Sequence, residues 1–193
     1  MQFKNTIQSM QKLGGDVVKE GKSILKKNKK ADGTLYNDFD YLVTASDSDV
    51  TLEFEFGGAE DYWAFVDEGV RGIGGYEGYA KPTTRGKGSP FRFGSKMPPM
   101  QPLLNWIKNK GVKGRVSTKW KTAGNKGGQF ITNKSFAFLI QRSIYQRGLE
   151  RTQFFSKPFT QELDKQMESI TEAFADDLEL ALETLIKLNY GVR

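Results

Sequence analysis

The sequence predicts an α+β fold, an antiparallel sheet with flanking helices, long helices at both ends and two long basic loops between them. Three observations predict it. Residues 3–27 and 159–188 each carry an apolar stripe at helical spacing, residues 41–56 alternate apolar with polar or acidic side chains, and the glycine-rich, basic stretches 70–96 and 112–134 separate the remaining short elements. A chain of 193 residues is long enough for one sizeable core. A single domain over 1–193 is expected: an N-terminal helix (1–30), an α+β core (31–158) and a C-terminal helix (159–193).

Composition narrows the chemistry. The chain has no cysteine and no histidine, which removes disulfides, thiolate and imidazole metal ligands, and Ser-His-Asp or Cys-His catalysis. We therefore expect no enzyme, no metal and no cofactor. No run of 18 apolar residues exists and the N-terminus lacks a signal-peptide apolar core, so a soluble, unexported protein without a membrane partner is expected.

Charge falls in blocks. The net charge is +6 at residues 1–30, −11 at 31–68, +13 at 69–134, +3 at 135–158 and −5 at 159–193. Such alternation suits a chain whose copies meet through opposite faces, or one lying near nucleic acid; it equally suits solvated faces that neutralise one another within the fold.

In the N-terminal helix, Phe3, Ile7, Met10, Val17 and Ile24 form the stripe, with Gly14 and Gly21 in register on it. A helix-interior glycine costs about 1 kcal/mol, so these two imply close approach to another element or a break near Gly14-Gly15. The acidic C-terminal helix is the natural partner of this basic one. Tyr41 to Ser46 and Val50 to Phe56 are strands joined by a hairpin at Asp47-Ser48-Asp49. Asp38, Asp40, Asp47 and Asp49 lack the spacing of a calcium loop and are read as turn formers. The aromatic run 60–69 fits a third strand or a short helix. Its Asp67 and Glu68 form a carboxylate pair, read as structural.

Stretch 70–96 holds seven glycines and six bases, but neither the phosphate-cradling P-loop pattern nor the dinucleotide fingerprint. Pro98 and Pro99 force an extended approach to a short helix that starts near Pro102, is anchored by Trp106 and stops at Gly111. A second basic loop, 112–134, follows. Ser135 is the expected N-cap of a helix through Phe136, Leu139, Ile140 and Ile144 to Gly148. Arg151 to Phe155 reads as a strand, and Ser156-Lys157-Pro158 leads into the last helix. At 1.5 Å per residue that helix is about 45 Å long, so it packs along the N-terminal helix or lends part of its length to another subunit.

Four segments in fixed order carry a resemblance. A Tyr-x-x-Phe-Val-Asp-x-Gly segment, taken as a strand, contains Tyr62, Phe65, Asp67 and Gly69. A Pro-Pro-x-x-x-Leu-x-x-Trp-Ile-x-x-Lys-Gly helix contains Pro98, Pro99, Trp106 and Gly111. An Ala-Phe-x-Ile-x-x-Ser-Ile-x-x-x-Gly helix ends at Gly148, and a Phe-Phe-x-Lys-Pro strand contains Phe154, Phe155 and Pro158. Over residues 60–160 this order resembles the neck or tail-completion proteins of tailed bacteriophages, the head–tail connectors and minor tail components. The resemblance implies an α+β subunit in a homo-oligomeric ring, a hexamer or dodecamer, around the DNA channel of the virion. It implies assembly in the host cytoplasm and, as partners, the portal, adaptor or head-closure protein, the tail proteins and genomic DNA. It brings no catalytic residue. The loops 70–96 and 112–134 are long for that family.

Rings are built from heterologous contacts, one face against a different face of the neighbour. The residues expected at such a contact, or facing DNA, are Arg71, Lys81, Arg85, Lys87, Arg92, Lys96, Lys113, Arg115, Lys119 and Lys121. A lysine-lined channel would hold DNA back, which favours the subunit contact. The alternative is a basic nucleic-acid-binding protein that uses segment 69–134, where aromatics interleave with bases. A hydrolase working through Asp61, Asp67 and Glu68 is the third reading.

Overall fold

The computed structural model describes residues 3–31, 33–74, 85–115 and 128–189. The α+β class holds: the described residues form six α-helices and two small antiparallel sheets. The chain divides into two compact units, one of residues 1–67 with 152–193 and one of residues 68–151.

The first unit is built on two long helices. Helix α1, Lys4–Lys27, is unbroken through Gly14 and Gly15. Helix α6, Ser156–Asn189, has 34 residues and starts three residues earlier than its apolar stripe suggests, with Pro158 in the first turn. Phe3 stacks on Phe174, Thr6 meets Asp177, and Asp16 accepts from Gln166 at 3.0 Å, so the two helices run antiparallel. The glycines on the α1 stripe mark a close approach. A Cβ at Gly21 would lie 2.6 Å from the Phe39 ring and 2.7 Å from the Phe154 carbonyl oxygen, and one at Gly14 would enter the Tyr41 ring.

Those rings belong to the segment after α1. A short helix α2, Thr34–Asp38, leads into strands β1, Asp40–Ala45, and β2, Val50–Glu55. The hairpin register pairs Tyr41 with Phe54 and Val43 with Leu52, which puts the apolar set on one face and Glu53 and Glu55 on the other. Its turn is closed by Ser46 N donating to the Asp49 carbonyl at 2.9 Å and Ser46 Oγ to the Asp49 carboxylate at 2.9 Å. The core gathers Leu13, Val17, Leu25, Phe39, Phe56, Phe154 and Ile170. Phe39 stacks on Phe56 at 5.3 Å, Phe56 on Trp63 at 4.3 Å, and Phe154 and Phe155 meet them edge-on. Offset and edge contacts of this kind add to the area the rings bury.

Of the two forms open to the run 60–69 the helix is found, against the strand that the resemblance implies, and the strand expected at 151–155 is absent. The run from Tyr62 to Gly69 forms helix α3, Trp63–Glu68, after a 3-10 turn at Gly57–Ala59. Helical spacing turns Trp63, Val66 and Asp67 inward and leaves Tyr62 and Phe65 exposed; a strand would split Trp63 and Val66 between opposite faces. The segment 151–155 is a turn. Gln153 has φ +51°, and the amides of Thr152 and Gln153 both donate to the Asp67 carbonyl, a backbone geometry and pairing that a strand ladder does not have.

In the second unit, α4, Met100–Lys110, ends at Gly111 with φ +64°, the left-handed stop its sequence indicates. The buried anchor of α4 is Ile107 and not Trp106, which is 46% exposed. Helix α5, Asn133–Arg147, begins two residues before Ser135. Thr132 is its N-cap, its hydroxyl accepting from Ser135 N at 3.2 Å, which places Ser135 inside the first turn. Gln141 donates to the Pro98 carbonyl just before α4, while Gly114, just after α4, lies against Phe136. The two helices are therefore antiparallel. Strand β3, Val70–Arg71, pairs with β4, Gly148–Leu149, on one side, and Arg71 bonds Phe91 and Phe93 on the other. Part of the expected 70–96 loop is thus sheet-like. Gly148 combines φ +84° with a Cβ position that would collide with the Val70 carbonyl, so no other residue fits there.

Candidate interaction surfaces

The basic candidates sit in the second unit. Its described residues carry Arg71, Arg85, Lys87, Arg92, Lys96, Lys108, Lys110, Lys113, Arg115, Lys134, Arg142, Arg147 and Arg151 against Glu68 and Glu150. Lys81, Lys119 and Lys121 lie outside the described residues. Arg71 and Arg92 are brought side by side by a parallel bridge. Arg85 pairs with Glu150 at 3.3 Å and Arg151 with Glu68 at 3.1 Å, both on the surface, where such pairs add about 0–1 kcal/mol. Lys87, Lys96, Lys113 and Arg115 are exposed. The Arg115 guanidinium lies 4.3 Å from the centre of the exposed Phe130 ring and Lys113 Nζ lies 5.7 Å from it.

Apolar side chains are also exposed on this unit. Trp106 on α4 and Phe138 and Leu139 on α5 are all more than two-fifths exposed. Because the helices are antiparallel, Lys108 near the end of α4 and Lys134 at the start of α5 lie toward the same end of the pair. The spacing of 98–111 locates the helix but not which side faces out. Trp106 and Ile107 are equally apolar neighbours about 100° apart on the helix, and packing against α5 decides between them.

The first unit offers a surface of opposite sign. Helix α6 is about 51 Å long and α1, with 24 residues, about 36 Å. The antiparallel pairing ends near Asp177. Beyond it, Leu180, Ala181, Thr184 and Leu185 line an open groove of about 790 Å³ together with Lys4, Asn5 and Asp177. Glu179, Glu183 and Lys187 follow one another at four-residue spacing and form a single charged stripe. Leu178, Leu180, Leu182, Leu185, Ile186 and Leu188 occupy much of the remaining circumference and are exposed, Leu188 to 77%. A helix end that is apolar on so much of its circumference is suited to burial.

Two of the three carboxylates weighed for chemistry have structural contacts. Asp67 is 2% exposed, and its Oδ1 accepts from Phe155 N at 2.8 Å and Ser156 N at 3.3 Å, capping α6 from a distant segment. Glu68 is tied to Arg151, and Asp61 is exposed. Sequence reading missed a second cap of the same kind. Asp177, also 2% exposed, accepts from Asn5 N at 3.1 Å, Thr6 N at 2.8 Å and Thr6 Oγ1 at 2.8 Å, and so closes the start of α1, where Phe3 gives no side-chain cap. Burial raises the Asp177 carboxyl, but the hydrogen bonds from Thr6 and Asn5 outweigh it and hold it below the usual aspartate range. Its one sequence signal is an acid at a position of α6 in step with the apolar stripe. No known protein family, curated protein or solved structure matches the chain.

Proposed function

We propose that this chain is a structural protein of a tailed-bacteriophage virion. In this reading it forms a homo-oligomeric ring in the neck that completes the tail or the head–tail junction around the DNA channel. The observation that carries the reading is the fixed order of the four segments ending at Gly69, Gly111, Gly148 and Pro158. The surfaces support it. A basic unit with exposed Trp106 and Phe138, and an acidic, apolar helix end on the other unit, are the kind of unlike faces that heterologous assembly uses. The role is mechanical, and its partners are copies of itself, the portal, adaptor or head-closure protein and the tail proteins.

Quantitative mass spectrometry of purified virions, ratioed to the major capsid protein, tests this. A low, fixed copy number that survives salt washing is expected; absence from the particles overturns it. Within the ring reading, reversal of Arg85, Lys87 and Arg92 to Glu is expected to abolish assembly, and unchanged assembly would remove these bases from the contact.

A second reading, binding to nucleic acid through 69–134, is favoured by Arg115 and Lys113 gathered over exposed Phe130. Its signature is affinity that falls steeply with salt as counterions are released.

A further inference from the structure

We propose that the terminal turns of α6, residues 178–188, dock on the α4–α5 face of a second copy of this chain, in a head-to-tail contact. The proposal deepens the ring reading by naming its contact, and rests on that reading for closure of successive copies into a ring.

Two surfaces on different units carry it. The end of α6 presents Leu178, Leu182, Leu185, Ile186 and Leu188, flanked by the exposed acids Glu172, Asp176, Glu179 and Glu183. In the α4–α5 region Trp106, Phe138 and Leu139 are exposed, as are the bases Lys108, Lys134, Lys113 and Arg115. Each surface combines exposed apolar side chains with charge, and the prevailing charges have opposite sign. Their lengths match too. The eleven residues 178–188 span about 16 Å, as do the 11 residues of α4.

Charge also selects the occupant. Two α6 ends brought together would place acid against acid, as two α4–α5 faces would place base against base, whereas unlike faces steer and register one another. The exposed apolar side chains supply affinity, with Trp106 as the large anchor that such interfaces favour. A contact between unlike faces leaves one of each free at the two ends of any open oligomer, so addition continues until the ring closes.

Sedimentation velocity of the full chain over a concentration series at low salt tests the contact, with circular dichroism to show that each variant is folded. Concentration-dependent association of the wild type is expected, weakening as salt rises. E179K/E183K alone and K108E/K134E alone should each stay monomeric, and an equimolar mixture should associate, because every α6 end then finds a face of opposite charge. L182S/L185S, which alters only exposed side chains, should weaken association by about tenfold or more.

Wild-type protein that stays monomeric at every concentration overturns the proposal, as does K108E/K134E that associates like wild type, which would mean that α6 ends pair with each other. Failure of the mixture to associate also overturns it. Association through these faces by a chain absent from virions would keep the contact and remove the neck assignment. Ring-like copy number in virions together with indifference to all three variants would do the reverse.

Discussion

Asp177 lies within α6, yet its carboxylate serves α1, taking the amide protons of Asn5 and Thr6 where Phe3 has no side chain to cap them. Replacement by Asn removes the charge that these three donors favour, and a loss of about 1–3 kcal/mol is expected in urea unfolding. The pH dependence has a definite sign. A carboxyl held low in the fold contributes stability that is fully present above the unfolded value of about 3.9 and is lost as pH falls through the lower folded value. Wild-type protein should therefore lose this contribution only in acid, and Asp177→Asn should flatten that part of the profile. Ile107 and Trp106 give a second contrast. Ile107→Ala should cost about 2–5 kcal/mol because it empties a buried site. Trp106→Ala should leave unfolding of the monomer within about 0.5 kcal/mol of wild type. Reading the sequence picked the wrong member of this pair, because a helical stripe says that one side of α4 is apolar while both neighbours qualify. Asp67 was legible as structural; the amides it caps, 88 and 89 residues away, were not.

Helices, being locally encoded, were the most legible elements. Gly111 and the stripes of α1 and α6 mark their elements, and the period-2 pattern of Val50, Leu52 and Phe54 gives the hairpin its register. The undecided run at 60–69 and the strand misread at 151–155 share a physical cause. Aromatic runs satisfy both strand and short-helix patterns, and at 63–68 the choice was made by Trp63 stacking on Phe56, a contact no local pattern contains. At 151–155 the same role falls to the Asp67 carbonyl, which takes two amides. Of the two readings open for Gly14 and Gly21, close approach or a break in the helix, the structure shows close approach. Gly21→Ala should cost about 1–3 kcal/mol by forcing a methyl toward the Phe39 ring and the Phe154 carbonyl, to be checked by thermal unfolding with Gly33→Ala, which meets nothing within 4 Å, as the control. The hairpin face should behave as core: Phe54→Ala, which removes contacts to Phe39, Phe155 and Phe159, should cost about 3–5 kcal/mol.

For the whole molecule, charge blocks legible in the sequence correspond to units of the fold: the +13 block lies in the second unit, and the −11 block lies almost wholly in the first. The division itself was not legible, because one unit is assembled from two stretches of chain that only tertiary packing joins. That division bears on how the protein is made. Residues 68–151 are continuous and can begin to pack as they leave the ribosome. Helix α1 can pack early on the Phe39–Tyr41 segment that follows it, but its contacts with α6 lie about 150–172 residues downstream, Asp177 among them, so that part of its surface waits uncovered until α6 has been made. The first unit is thus completed after the second, and the α6-facing side of α1 is the surface most exposed to capture by a chaperone or by another nascent copy.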